Sequence, residues 1–358
     1  YEDKQMKIKL AILESDSNYL NRMVVAFNTR YADKLEIYSF TSYDVALEAL
    51  ASSKIDVLVA SDYFDVDTKK LPARCGFAYM VDSPDIDNVR EQRAICKFQK
   101  ADLIYKQILS IYSENTENMS KIKLSEDGSK LITFSSPCGG TGTSSVAAAC
   151  AVNYAKRGKK VLYFNLEPFG SSDNFFSAEG QFDMSDIIYA LKSAKANLSL
   201  KLESCVKQDV TGVCFFSASK IALDMQELDS EDIKRLISEL QFMGGYDYII
   251  LDIPFGVDKT TLSIYELSHN VVMVGDGSDV SNTKIQRAYN ALTIMEQNSG
   301  EAITNNMRII YNKFSNKTGH LLENIEVKII GGSPRYEHAT QKQVIEQLSL
   351  LGTYDELL

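Results

Sequence analysis

The chain has 358 residues, is 45% hydrophobic and 24% charged, and carries a formal net charge of -10; its length suits roughly two to three domains with separate cores. No apolar run approaches the roughly 20 residues of a spanning helix and no signal peptide is visible, so direct membrane insertion is not expected. The acidic balance argues against nucleic acid as a partner, which needs a basic face.

Six cysteines without the paired spacing of a zinc site read as buried free thiols of a reducing compartment, and three scattered histidines suggest no metal cluster. The chain opens on Tyr1 rather than Met, as a trimmed N-terminus would.

Residues 1–112 alternate strand and helix patterns. Residues 7–13 read as a strand, and Asp16 with Ser17 can cap a helix bearing Leu20, Met23, Val24, Val25 and Phe27. Residues 35–40 form a second strand, followed by an amphipathic segment with Val45, Ala46, Leu47 and Leu50. Residues 55–60, 76–81 and 93–98 supply three more strands, and residues 100–112 a last helix striped by Leu103, Ile104, Ile108 and Ile111. Five strands with intervening helices predict a parallel, doubly wound, flavodoxin-like sheet. The element between the fourth and fifth strands is short and carries Pro84, so a reduced helix is expected there. Residues 113–128 are polar and read as a linker. Its Asp127-Gly128 turn signal lets residues 121–124 pair with 130–134 as an edge strand.

Residues 129–358 have more strongly apolar strands, at 131–135, 160–166, 212–217, 246–252, 270–274 and 307–311, as a buried and mainly parallel sheet requires. The first enters the glycine-rich turn Cys138-Gly-Gly-Thr-Gly-Thr-Ser-Ser145, and an alanine-rich helix leaves it. Strand, loop and helix in that order make a phosphate-binding loop, because backbone N–H groups and the positive helix end together cradle an anion. Gly139, Gly140, Thr141 and Gly142 let the backbone approach phosphate. Ser144 is placed to offer its hydroxyl to Mg²⁺, and Ser145 to contact the α-phosphate. Asp252 ends an apolar strand in the manner of a Walker B acid and reaches the same Mg²⁺. Asn165 and Glu167, two apart at another strand end, are candidates to orient a water near a γ-phosphate.

These segments, with Ile310-Tyr-Asn-Lys-Phe314, fall in the order of the MinD/ParA deviant Walker ATPases. Within that group the chain resembles the CpaE/TadZ pilus-assembly proteins, which carry a receiver-like domain ahead of the ATPase. The resemblance implies a receiver-like, flavodoxin-like domain followed by a MinD/ParA-type P-loop NTPase domain. It implies ATP and Mg²⁺ as cofactors, a homodimer through the ATP domain, and partners in a Tad/Flp-type pilus or secretion machine. The expected location is cytoplasmic, polar and peripheral to the membrane through those partners. By position, Asn312 is the adenine reader and Pro334 with Arg335 flanks the base.

The departures concern charge. Cys138 and Thr143 occupy the two positions where the wider family places lysines, and Pro137 replaces a leading glycine. Slow or absent hydrolysis is therefore expected, unless Lys284, Arg287 or Arg335 supplies the missing charge. The competing readings are an active MinD/ParA-type ATPase and a phosphorylation-controlled response regulator. Against the latter, the third strand puts Ser61 in the phosphoacceptor slot and Asp62 one residue beyond, beside Glu14, Ser83 and Lys97.

Overall fold

A computed structural model of the protein describes residues 7–115, 128–193, 197–299, 303–323 and 325–358. The chain divides into two compact units, Tyr1–Ser120 with Tyr189–Cys205, and Lys121–Ile188 with Val206–Leu358. The expected pairing of residues 121–124 and most of the expected linker lie outside the described residues.

In the first unit, β1 (Ile8–Leu13), β2 (Leu35–Phe40), β3 (Val57–Ser61), β4 (Gly76–Val81), β5 (Asn88–Val89) and β6 (Gln92–Cys96) form one sheet in the order β2-β1-β3-β4-β6-β5. All neighbours are parallel except β5 and β6. Helices α1 (Ser17–Arg30), α2 (Tyr43–Ser52) and α3 (Ala101–Glu114) cover it. The Asp16 side chain caps α1 by accepting from the N–H groups of Asn18 and Tyr19, and Leu20, Met23 and Phe27 on the buried face fall at helical spacing.

Two crossovers depart from the expected alternation. A three-residue 3₁₀ turn, Thr68–Lys70, stands between β3 and β4, and β5 hairpins onto β6 between β4 and β6. The expected reduced helix is replaced outright: Pro84 lies in a turn at 84–85, and the two-stranded hairpin follows it. Arg90 and Glu91 both take positive φ, at 49° and 63°, as the tight hairpin geometry demands, but neither is the glycine or asparagine that would announce it.

Residues 189–205, placed by sequence within 129–358, cluster with the first unit. There α6 (Leu198–Cys205) packs along α3. Lys201, 2% exposed, donates from Nζ to Ser110 Oγ at 2.8 Å, and Lys34 pairs with Glu203. Helix α5 (Met184–Lys192) runs into this segment and supplies its first residues, 189–192.

The second unit is built on an eight-stranded sheet, in the order β14-β13-β12-β7-β11-β8-β10-β9. The strands are β7 (Lys130–Ser135), β8 (Val161–Asn165), β9 (Lys207–Gln208), β10 (Cys214–Phe215), β11 (Tyr248–Asp252), β12 (Asn270–Gly275), β13 (Met307–Phe314) and β14 (Lys328–Pro334). Only β9 runs antiparallel to its neighbour. β7, β8, β10, β11, β12 and β13 account for the six expected strands, and β9 and β14 extend the sheet at its two edges.

Helices α4 (Thr143–Lys156), α7 (Ser230–Phe242), α8 (Lys259–Leu267), α9 (Asp279–Ser299) and α10 (Gln341–Leu348) complete the unit. Every residue of α4 from Val146 to Tyr154 is buried, because the C-terminal α10 and the 3₁₀ turn Gly352–Leu357 join it in one core cluster. Asn153 Nδ2 donates to Ser349 O at 2.7 Å and Tyr154 Oη to Tyr354 O at 3.0 Å. A helix enclosed all round needs small side chains, which explains its alanine run. Cys75, Cys150 and Cys205 are buried as expected, whereas Cys96, Cys138 and Cys214 are half-buried.

Candidate functional site

β7 ends at Ser135, and the loop 136–142 turns into α4. Gly140 and Gly142 take φ of 80° and 84°, a region that side chains rarely adopt. Thr141 is 1% exposed. Its hydroxyl lies 3.2 Å from Thr143 Oγ1 and donates to Cys138 O at 3.3 Å, and Ser136 Oγ accepts from Cys138 N–H at 3.1 Å. The loop is thus fixed from within by hydroxyl groups.

At the end of β11, Asp252 is wholly buried. Its Oδ2 accepts from Tyr163 Oη at 2.7 Å and from Asn165 Nδ2 at 3.0 Å, whereas its Oδ1 has no hydrogen-bond partner. Burial pushes its carboxyl up to about 7, aided by the charge of Glu167. Tyr163, Ser144 and Asn165 oppose that rise. A buried carboxylate oxygen without a partner, beside a serine hydroxyl at a helix start, fits a hard divalent cation that also takes phosphate oxygens. Ser144 and Asp252 would hold Mg²⁺ here, and the ion would bridge and neutralise phosphate charge.

The other expected residues fall around this centre. Asn165, 8% exposed, lies against Asp252, and its Oδ1 accepts the Glu167 N–H at 2.9 Å, so its amide is engaged at both ends. Glu167 is half-buried on the turn that follows. Gly170 closes that turn, where a Cβ would collide with Asn165 Oδ1 and the Glu167 stem.

Asn312, 3% exposed, reaches the loop itself. Its Nδ2 donates to Thr141 O at 2.7 Å and its Oδ1 accepts from Ser333 Oγ at 2.8 Å. Pro334 ends β14 and Arg335 follows it, both exposed. Lys284 and Arg287 share the exposed side of α9.

Two partners were not foreseen. Gln341, at the start of α10, donates to Ser145 Oγ at 2.8 Å, and Lys313 Nζ donates to Gly140 O at 2.7 Å. Lys313 stood within the quoted segment 310–314. The signal that could have singled it out was a lysine directly following the asparagine already selected.

The first unit has its own polar cluster at the carboxyl ends of its strands. Glu14, 2% exposed, meets Lys97 Nζ at 2.9 Å, and the same ammonium donates to Ser61 Oγ at 3.1 Å and lies 3.4 Å from Asp82. Burial pulls the Lys97 ammonium down, but Glu14 and Asp82 outweigh it and hold it above its usual value, so it stays charged. β3 pairs with β4 in unbroken register through Ser61, so no bulge brings Asp62 inward, and Asp62 is exposed. Ser83 bonds locally with Asp85.

Comparison with known proteins follows these two units. The profile of a TadZ-like receiver domain matches residues 6–113, and that of the ParA family, described as NUBPL iron-transfer P-loop NTPase, matches residues 128–331. Among curated proteins, an uncharacterised ATP-binding protein of Methanocaldococcus jannaschii is 27% identical over 126 residues, covering 35% of this chain and 44% of that protein. The flagellum site-determining protein YlxH of Helicobacter pylori is 24% identical over 189 residues, covering 52% of this chain and 60% of its own length. The chain therefore spans about half the length of these curated relatives.

Two solved structures share the fold. A ParA family ATPase from Chlorobium tepidum has a TM-score of 0.51 at 20% identity, over 64% of this chain and 95% of the other. MinD from Aquifex aeolicus, in its complex with MinC, has a TM-score of 0.50 at 18% identity, over 64% and 96%.

Proposed function

Because the chain belongs to the ParA family of P-loop NTPases and carries a TadZ-like receiver domain ahead of its nucleotide fold, we propose that it is an ATP-binding protein whose dimerisation is switched by Mg-ATP. In this reading it localises or scaffolds a Tad/Flp-type pilus or secretion machine. The observation that carries the nucleotide part is the pairing of a cation-ready Asp252 with the glycine-rich loop at the carboxyl ends of β11 and β7.

Each residue then has a defined task. The N–H groups of 139–145 hold the phosphates, Ser144 and Asp252 hold Mg²⁺, and Tyr163 and Asn165 orient the Asp252 carboxylate. Asn312 supports the loop, its amide bound at both ends, so the expected reading of adenine would fall to the exposed Pro334 and Arg335. Glu167 is the remaining group able to orient a water, since the Asn165 amide is already bound at both ends.

Slow hydrolysis follows from the chemistry of the loop. Cys138 and Thr143 offer no fixed positive charge where charge develops on the transferring phosphoryl group. The localisation role rests on the receiver-domain match and the flagellum site-determining relative. Among the described residues no helix is long and apolar enough to cross a membrane; in this reading the protein meets a membrane machine through its partners.

The test is light scattering on a sizing column with and without Mg-ATP, identifying the nucleotide that co-elutes. A dimer retaining intact ATP is the expected result. A dimer that decays as ADP appears would instead assign an active ATPase, and failure to bind nucleotide would overturn the reading.

A further inference from the structure

The loop has lost its lysines, yet a lysine touches it from another strand. Lys313 sits near the end of β13 with φ at 59°, a conformation unusual for a residue with a Cβ, and its Nζ lies 2.7 Å from Gly140 O. The neighbouring Asn312 binds the next carbonyl, Thr141 O, also at 2.7 Å, and is itself braced by Ser333 on β14. Two consecutive side chains therefore grip two consecutive carbonyls of the phosphate loop. A Cβ on Gly142 would collide with the Asn312 amide, so glycine at 142 is what lets the grip close.

We propose that Asn312 and Lys313 form a clip that pre-organises the phosphate loop by holding the carbonyls of Thr141 and Gly140 on its outer side. In a trans peptide the N–H points opposite to the C=O, and among the described residues there is no cis peptide bond. Fixing Gly140 O and Thr141 O therefore aims the N–H groups of Thr141 and Gly142 away from the clip, where the loop receives phosphate. A donor already aimed before binding costs less ordering when the ligand arrives. The lysine thus acts behind the cradle as a positioning residue, through the backbone, where the loop lysines of other members would act from within. This inference rests on the reading of the loop as a nucleotide site.

The test compares Lys313→Met, which keeps the stem and removes the donor, with Lys313→Arg, which keeps a donor. Amide hydrogen exchange at Thr141 and Gly142 in the nucleotide-free protein reads the clip directly. Faster exchange in Lys313→Met, restored in Lys313→Arg, is expected, and unchanged exchange overturns the clip whether or not nucleotide binds. Calorimetric titration with Mg-ATP and Mg-ADP reads its consequence. Because the clip serves the loop backbone, both affinities should fall about tenfold together in Lys313→Met. A loss confined to ATP would overturn positioning in favour of direct contact with the terminal phosphate. If the wild-type protein binds neither nucleotide, the nucleotide reading fails, and the exchange result still decides whether the clip exists.

Discussion

Asp252 titrates near neutrality because it is buried with one oxygen unpartnered, and that sets a pH window. Its native value of about 7 lies above the ordinary carboxylate value, so below it the folded protein holds a proton that the unfolded chain has released. Stability without nucleotide therefore falls as pH rises from about 4 to about 7. Mg²⁺ competes with that proton, so Mg-dependent nucleotide affinity should climb between about pH 6 and about pH 8, measured by titration at fixed Mg²⁺. Asp252→Asn should flatten this climb and abolish the Mg²⁺ requirement. It should also stabilise the nucleotide-free protein at alkaline pH by about 1–3 kcal/mol, read from urea unfolding. At the other end of the site, Thr143→Lys returns a charge to the loop and should raise single-turnover hydrolysis about tenfold or more. An unchanged rate would show that something other than loop charge limits turnover.

At the scale of elements, three strand ends of the first unit are tied by one ammonium. Lys97 follows β6 and meets Glu14 after β1 and Ser61 at the end of β3. Removing it leaves a carboxylate that is 2% exposed without its cation, so Lys97→Ala should cost about 2–4 kcal/mol in thermal or urea unfolding. Adding Glu14→Gln should return part of that loss, and simple additivity of the two changes would refute the coupling. The same tie makes phosphorylation control a poor fit, because Ser61 rather than Asp62 stands at the lysine. Acetyl phosphate should therefore leave the mass of the intact protein unchanged, and an adduct on Asp62 would reverse that expectation. In the second unit, Gly170→Ala would drive a Cβ into Asn165 and disturb the group that orients Asp252. Weaker Mg-ATP binding in calorimetry, with little change in melting temperature, is the expected signature.

For the molecule as a whole, the parts legible in the sequence were those contiguous along the chain. Strand 131–135, the glycine turn and the alanine-rich helix follow one another within one segment, and their local patterns suffice to specify strand, turn and helix. The buried parallel strands read as continuous apolar runs because both of their faces are covered. Pairwise contacts between distant segments carried no such signal. Asn312 and Lys313 meet residues 140 and 141 only because β13 lies in the same sheet as β7, separated by β12. Gln341 reaches Ser145 across 196 positions because α10 packs on α4. The β5 hairpin, the edge strands β9 and β14, and the docking of α6 on α3 depend likewise on what each segment meets after collapse. The sequence by itself determined the class of fold, the order of the two units and the residue types of the phosphate loop, since periodicity and backbone chemistry are local. Only the tertiary structure decided that Asp252 has an oxygen left for a cation, that the Asn165 amide is already engaged, and that a lysine from another strand grips the loop. Burial and hydrogen-bond pairing belong to neighbours in space, and the order of residues along a chain does not state them.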